Sequence, residues 1–114
     1  MSISRVAAAI IAAGAALGLA LSAHAAPVRT GRTACALAKV RVAASLHRPV
    51  SRIPYCETLR AVDSPRGFYI ARLSGRCRQE ICGSTLIGWY AVQKRTGRVF
   101  EWDVGEWRVG APIS

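Results

Sequence analysis

The stretch GWYAVQKRTGRVFEWDVGEWRVG, residues 88–110, decides the fold, because it predicts a β-hairpin. It also carries all three tryptophans of the chain. Two apolar segments, residues 86–93 and 98–104, flank a short polar sequence that ends in Gly97. A glycine there suits a three-residue hairpin loop, in which a type I turn is followed by a residue with positive φ. We therefore predict two antiparallel strands joined by a tight loop.

The length of this loop determines which side chains share a face, because a strand alternates its side chains between the two faces of a sheet. A three-residue loop closed by Lys94 and Arg98 places Val92 opposite Phe100. The predicted core face then carries Leu86, Gly88, Tyr90, Val92, Phe100, Trp102 and Val104. The predicted opposite face carries Trp89, Ala91, Gln93, Val99, Glu101 and Asp103.

Residues 1–25 have the features of a signal peptide that is cleaved on export. Arg5 supplies a positive charge, and an uncharged run of 16 residues follows at positions 6–21. Ala23 and Ala25 are small residues of the kind that a signal peptidase requires, so we predict cleavage after Ala25. The alternative is a membrane anchor, but a spanning helix needs about 20 apolar residues. We therefore expect a periplasmic or secreted protein that has no transmembrane anchor after cleavage.

The 89 residues from 26 to 114 are enough for one domain but not for two cores. Residues 26–33 contain Pro27 and Gly31 and predict a flexible lead-in. Residues 34–114 then form a single small domain. Small domains often need covalent links to supplement a limited core.

Four cysteines supply those links, and an even number of cysteines in an exported chain predicts disulfides. Cys77 and Cys82 enclose only four residues, so we expect them to close one loop. Cys35 and Cys56 are then left to pair with each other. A zinc site is the alternative, but neither spacing matches the usual CxxC-type pairs. We predict two structural disulfides and no metal site.

The segment 34–47 is rich in alanine and predicts a helix that Thr33 caps and that Pro49 ends. Strands are predicted at residues 55–62 and 68–75, on either side of a strong turn signal, and they add to the hairpin. The fold class is therefore α+β, with one N-terminal helix packed on a three- or four-stranded antiparallel sheet. The predicted core face of the helix carries Cys35, Ala38, Val42 and Leu46.

The chain is strongly basic, with 16 lysine and arginine residues against six aspartate and glutamate residues and a net charge of +10. Cleavage after Ala25 removes Arg5 and leaves a net charge of +9. Such charge promotes solubility, and it also favours an anionic partner, either an envelope protein or an anionic envelope polymer. Nucleic acid is a less favoured partner, because no nucleic-acid-binding motif surrounds the basic residues.

The sequence contains little that points to catalysis. His47 is the one histidine that remains after residue 25, and its place near the helix end suits an interaction with the helix dipole. Glu101 and Asp103 alternate along one strand, about 7 Å apart by strand rise. We expect them to form salt bridges rather than a glycosidase-like pair, because an open hairpin face offers no cleft. We predict that the protein is not an enzyme and needs no cofactor.

The C-terminal half resembles small exported bacterial proteins of uncharacterised function. Its segment WYAVQKRTGRVFEW is similar to the last hairpin of PepSY-type domains. That resemblance implies a helix on a short antiparallel sheet and a role in periplasmic inhibition or binding, and it carries over no functional residue.

Together these features predict a small exported, non-catalytic binding module of the inhibitor or immunity type. The alternative is a basic envelope-associated protein that holds anionic polymer by charge. Two tryptophans can remain exposed outside the predicted core face, and arginines cluster near the cysteine loop and the hairpin loop. The candidate binding residues are Trp89, Trp107, Arg76, Arg78, Arg95 and Arg98.

Overall fold

The computed structural model describes residues 26–78 and 82–114, where one α-helix packs on a five-stranded antiparallel sheet. The predicted signal peptide, residues 1–25, lies outside the described residues. The elements in chain order are α1 (Gly31–Ser45), β1 (Tyr55–Thr58), β2 (Phe68–Ser74), β3 (Leu86–Gln93), β4 (Val99–Asp103) and β5 (Arg108–Pro112). The strands are adjacent in the order β1-β2-β3-β4-β5, so each one pairs with its neighbour in sequence. The predicted α+β class is confirmed.

The fifth strand is the difference from the predicted three or four strands. β5 pairs with β4 through Val109 opposite Trp102 and Arg108 opposite Asp103. Glycine and proline are depleted in strands, and β5 contains Gly110 and Pro112 within five residues. Proline is tolerated at a sheet edge, where its missing N–H faces away from the ladder. The tight turn before β5 and the pairing with β4 therefore form a strand that local propensity does not predict.

Both predicted disulfides are confirmed. Cys35 on α1 is bonded to Cys56 on β1, with 5.8 Å between their Cα atoms. Cys77 and Cys82 are bonded within the connection between β2 and β3. The first disulfide therefore fastens the helix to an edge of the sheet, and the second closes a loop at one end of it.

The helix begins three residues earlier than predicted. Thr30, not Thr33, is the N-cap, and its Oγ1 accepts a hydrogen bond from the Thr33 N–H at 3.1 Å. Thr33 is therefore the third helical residue, whose N–H is one of the groups that a cap satisfies. Gly31 starts the helix against β1, where a Cβ would lie 2.7 Å from the Thr58 Oγ1.

Small side chains form most of the helix face that meets the sheet. Ala34, Ala38, Val42 and Ala43 are buried there. The predicted face is correct for Ala38 and Val42, whereas Leu46 is 45% exposed because the helix ends before it. The core between helix and sheet also contains Val28, Ile53, Ala71, Leu73, Val92 and Val99.

A left-handed residue follows the helix and its C-cap. His47 has a φ of 53°, and the Arg48 N–H donates to the Ala43 carbonyl at 2.9 Å. The His47 N–H donates to the Ala44 carbonyl at 3.1 Å. These two bonds make a Schellman motif, in which the left-handed position is usually glycine.

The predicted register of the β3–β4 hairpin is wrong by one residue. Val92 pairs with Val99, rather than with Phe100, and the Gln93 N–H donates to the Arg98 carbonyl at 2.9 Å. The loop therefore has four residues, from Lys94 to Gly97. A shift of one residue exchanges the two faces of a strand. Phe100 and Trp102 consequently lie on the sheet face that carries Trp89 and Ala91, and Val99 lies on the helix side.

The reason for this register lies outside the hairpin. The Lys94 N–H donates to the Gly67 carbonyl at 2.8 Å, and the Lys94 carbonyl accepts from the Val28 N–H at 2.6 Å. Both backbone groups of Lys94 are therefore hydrogen-bonded to residues outside the hairpin rather than to Arg98. Val28 is only 4% exposed, so the predicted flexible lead-in instead contributes a core residue and a hydrogen bond to the hairpin.

Candidate functional site

The sheet face opposite the helix carries a second apolar cluster, which we call the aromatic face. Ile70, Ala91 and Trp102 are buried at its centre, and no helix residue belongs to it. The partly buried residues around them are Leu59, Phe68, Trp89, Phe100 and Val109. The predicted register had assigned Phe100 and Trp102 to the helix side. The four-residue loop moves both rings to the outside of the sheet.

The rings of the aromatic face pack edge to face. Phe68 on β2 and Phe100 on β4 have centroids 6.1 Å apart and ring planes 75° apart. Trp102 on β4 and Trp107 in the following turn have centroids 5.2 Å apart and planes 77° apart. Edge-to-face pairs of this kind contribute about 0.5–1.5 kcal/mol each beyond area burial. The rings are thus held in position by their neighbours.

Arginine side chains lie over two of these rings. The Arg72 guanidinium is 5.9 Å from the centroid of Trp89, its cross-strand neighbour, and it donates to the Glu57 Oε2 at 2.7 Å. The Arg98 guanidinium is 5.2 Å from the Phe100 centroid. Such cation–π contacts contribute about 0.5–1 kcal/mol at exposed sites. The face therefore combines apolar rings with fixed positive charge.

Trp107 is the most exposed of the rings at the aromatic face, with 52% of its area accessible. Its φ is 55°, the left-handed region that costs an L-residue about 1–2 kcal/mol. The turn is held by the Asp103 Oδ1, which accepts from the Glu106 N–H at 2.9 Å. The β3–β4 loop has the same length, and its left-handed residue is Gly97, with a φ of 76°. Contact with Trp102 therefore holds Trp107 in a left-handed conformation. At the equivalent position of the β3–β4 loop, that conformation is adopted by a glycine.

Trp102 provides a further feature of this surface. It is 5% exposed, and its indole Nε1–H has no hydrogen-bond acceptor among the described residues. A buried donor without a partner costs about 1–3 kcal/mol. The same indole makes the edge-to-face contact with Trp107 described above.

The structure divides the six predicted binding residues into three groups. Trp89, Trp107 and Arg98 belong to the aromatic face. Arg95 lies exposed in the hairpin loop. Arg76 and Arg78 follow β2 and line a separate hollow, which is also lined by two arginines outside the predicted set, Arg48 and Arg52.

Three side chains on or beside the aromatic face were not among the predicted binding residues. Phe68 and Arg72 lie on alternate positions of β2 with Ile70 between them, so they share a face. Phe100 was placed in the core by the wrong register. The alternation of Phe68, Ile70 and Arg72 was the available signal, because it puts a charge on the same face as two apolar residues.

The residues considered for catalysis lie in different environments. His47 occupies the helix C-terminus, and Asp103 accepts the turn hydrogen bond described above. Glu101 pairs across the strands with Tyr90. Burial, and then the negative charge of Glu101, raises the pKa of the Tyr90 hydroxyl above its usual value of 10.0. The described residues form two ion pairs, Arg60–Asp63 and Arg72–Glu57. Neither pair includes Glu101 or Asp103, so the predicted salt bridges of these two residues are not found among the described residues.

Comparisons with protein-family profiles, curated proteins and solved structures found no match for this chain. The resemblance to small exported proteins and to a PepSY-type hairpin therefore stays a prediction. Within residues 26–78 and 82–114, no helix has the length and apolar character needed to cross a bilayer. Within the same ranges, no three His, Cys, Asp or Glu side chains are grouped in a way that would hold a metal ion.

Proposed function

We propose that this protein is a small exported, non-catalytic binding module of the inhibitor or immunity type. Its aromatic face binds an acidic surface of a partner protein in the periplasm or outside the cell. The observation that carries the proposal is the pair of guanidinium groups over Trp89 and Phe100, on a sheet face to which the helix contributes no residue. Aromatic residues and arginine are the types most enriched at the energetic centres of protein interfaces.

The charge of the face selects the chemistry of the partner. Arg98 has no carboxylate partner among the described residues, and Arg72 is paired with Glu57, whose side chain is 72% exposed. An acidic partner surface can pair with Arg98 directly and can compete with Glu57 for Arg72. Complementary charge raises the association rate and excludes basic partners.

Two other features support export. The two disulfides are of a kind that persists in oxidising compartments. The N-terminal sequence has the charge, the apolar run and the small residues of a cleaved signal. A disulfide-linked domain of this size suits an extracellular binding role.

The test is capture of the partner by the oxidised, exported protein from a cell-envelope extract of the source organism. Trp107→Ala and Arg98→Gln should weaken capture by about tenfold or more, as expected for residues at the centre of an interface. The matched controls are Val40→Ala and Arg41→Gln. Both residues are exposed on α1, behind the sheet, and should leave capture unchanged.

The captured protein should be acidic, and its binding should be stoichiometric and persist at high salt. Capture that the α1 variants weaken as much as the aromatic-face variants would contradict the proposal. So would a basic partner, because like charges would meet at Arg72 and Arg98.

A second function is favoured by the distribution of arginines. Among the described residues, only Arg60 and Arg72 form ion pairs, so most of the positive charge has no internal partner. A basic envelope-associated protein would use this charge to hold anionic polymer. Its binding would fall steeply with salt and would change equally for Arg41→Gln and Arg98→Gln. The same set of variants therefore separates the two functions.

A further inference from the structure

Four arginines surround one hollow of about 280 Å³ beside the C-terminal end of α1. Arg48 and Arg52 come from the segment that follows the helix, and Arg76 and Arg78 come from the segment that follows β2. The two pairs are far apart in sequence. The fold therefore creates a concentration of charge that the sequence does not show.

Backbone hydrogen bonds fix the positions of the first pair, Arg48 and Arg52. The Arg48 N–H completes the Schellman motif at the helix end. Arg52 is the last residue of the 3₁₀ turn Val50–Arg52, and its N–H donates to the Pro49 carbonyl at 3.0 Å. Ile53, which follows it, is buried at 2% exposure and anchors the segment in the core. Both arginines thus extend from fixed backbone.

The second pair, Arg76 and Arg78, is positioned by the close approach of the segment after β2 to the 3₁₀ turn. Gly75 follows β2, its N–H donates to the Thr85 carbonyl at 2.8 Å, and a Cβ there would lie 3.8 Å from the Arg52 carbonyl oxygen. Arg76 and Arg78 come directly afterwards, on either side of the disulfide-bonded Cys77. The disulfide restricts the segment that carries these two arginines.

The four arginines that line the hollow all carry positive charge. None of them forms an ion pair among the described residues, whose two ion pairs lie elsewhere. Like charges that face a common hollow repel one another, although water and salt screen much of the effect. A bound anion would convert that repulsion into attraction.

We infer that this hollow is a binding site for a phosphate monoester group. Guanidinium groups match phosphate oxygens with paired N–H donors, and a phosphate monoester offsets more of the charge of four arginines than a carboxylate does. A phosphate monoester presents three terminal oxygens and a charge of about −1.5 to −2 at neutral pH. The hollow is several times the roughly 30 Å³ that a water molecule occupies, so the group and part of its substituent fit.

This site is distinct from the aromatic face and does not depend on the proposed function. Its four arginines lie on the segments after α1 and β2, and no residue that lines the hollow belongs to the aromatic cluster. Loss of phosphate binding would leave the partner-binding proposal standing, and the reverse also holds.

The test is titration of the oxidised, exported protein with inorganic phosphate, followed by nuclear magnetic resonance of backbone amides and guanidinium groups. Saturable shifts should be confined to Gly75 and the four arginines, and acetate at equal ionic strength should not reproduce them. Arg52→Gln and Arg76→Gln should each weaken binding by about tenfold, because each removes a charge-assisted pair. Arg52→Lys should also weaken it, since an ammonium keeps the charge but lacks the paired donors.

Arg41→Gln is the matched control, because it removes the same charge from an exposed site on α1. Equal weakening by Arg41→Gln, equal binding of acetate, or shifts spread over all arginines would overturn the inference. Each variant should keep the thermal midpoint of the parent protein, because all of these side chains are exposed.

A second arm of the experiment identifies the source of the phosphate group. Vesicles of phosphatidylcholine that contain phosphatidic acid present the monoester on a lipid surface, and those that contain phosphatidylglycerol present a diester at matched charge. Tighter binding to phosphatidic acid vesicles than to inorganic phosphate would assign the site to a lipid headgroup. Similar affinity for both would assign it to a free phosphate ligand. Equal binding to both kinds of vesicle that is insensitive to Arg52→Gln would refute a monoester site.

Discussion

Replacing three glycines with alanine, one at a time, separates backbone strain from packing in this fold. Gly83 has no positive φ and no described atom within 4 Å of an added Cβ. Gly67 has a φ of 86° and equally open surroundings. Gly97 has a φ of 76°, and an added Cβ would lie 3.3 Å from the Leu37 Cδ1 and 3.5 Å from the Val28 Cγ2. Relative to Gly83→Ala, the Gly67 substitution therefore adds left-handed backbone strain. The Gly97 substitution adds both that strain and crowding of the new Cβ.

The magnitudes follow from those differences. Gly83→Ala should raise the free energy of unfolding by about 0.4–1 kcal/mol, because alanine reduces the entropy of the unfolded chain. Gly67→Ala should lower it by about 1 kcal/mol, because the left-handed conformation costs an L-residue about 1–2 kcal/mol and the entropy gain offsets part of that. Gly97→Ala should lower it by about 2 kcal/mol, because the contact with Leu37 adds mild overpacking at the surface.

Thermal and urea denaturation of the oxidised proteins would measure the series. In a domain of this size, 1 kcal/mol corresponds to about 4–8 °C in Tm, so the order should be resolved without difficulty. Equal effects at Gly67 and Gly83 would refute the argument from left-handed backbone. Equal effects at Gly67 and Gly97 would refute the packing of the hairpin loop against the N-terminal segment and α1.

Three further changes test other parts of the structure. His47→Gly should raise the free energy of unfolding by about 1 kcal/mol in urea denaturation, because His47 occupies the left-handed position of the Schellman motif. Replacing Cys35 and Cys56 with serine should lower it by about 3 kcal/mol, the value expected for a cross-link that spans 21 residues. The neutral Tyr90 phenol, whose pKa is raised above 10.0 by burial and then by Glu101, stabilises the fold fully below pH 10. That contribution should be lost as the pH rises through the folded pKa, and ultraviolet absorbance should show one tyrosine ionising last.

Each of these has a matched control. Ala44→Gly lies in the last turn of α1 and should lower the free energy of unfolding by about 1 kcal/mol, opposite in sign to His47→Gly. Thiol should lower the urea concentration at which the parent protein unfolds. It should have a smaller effect on the serine variant, which retains only the Cys77–Cys82 disulfide. Tyr90→Phe should abolish the late absorbance change. A late change that persists in this variant would show that another tyrosine is responsible.

Local signals were sufficient for much of the architecture. β3 spans Leu86–Gln93, the segment predicted from its apolar residues, and the cysteine spacings identified both disulfides. Gly97 has the positive φ that its position after Thr96 indicated. These features depend on residues that are close in sequence, so a single sequence contains the information.

Tertiary contacts decided the rest. The hairpin register depends on Lys94, whose backbone groups are used by Gly67 and Val28, and nothing in the hairpin sequence reveals those partners. The register in turn decides whether Phe100 faces the helix or the outside. For that reason the sequence indicated an aromatic hairpin but assigned half of its rings to the wrong face.

The candidate sites show the same division. Trp89 and Trp107 could be selected from sequence, because both lay outside the predicted core face. Arg48 and Arg52 could not, because their proximity to Arg76 follows from the close packing of the 3₁₀ turn against Gly75. A cluster assembled from separate loops has no local pattern to reveal it.

The two disulfides join cysteines that are consecutive in the chain, Cys35 with Cys56 and Cys77 with Cys82. If the chain enters an oxidising compartment from its N-terminus, each cysteine meets its native partner before a later competitor has arrived. An oxidase that acts on thiols in order of emergence would then produce the native pairing without reshuffling, a step that otherwise takes seconds to hours. We expect the yield of native protein to be the same in cells with and without a disulfide isomerase, and a lower yield without it would contradict this order of oxidation.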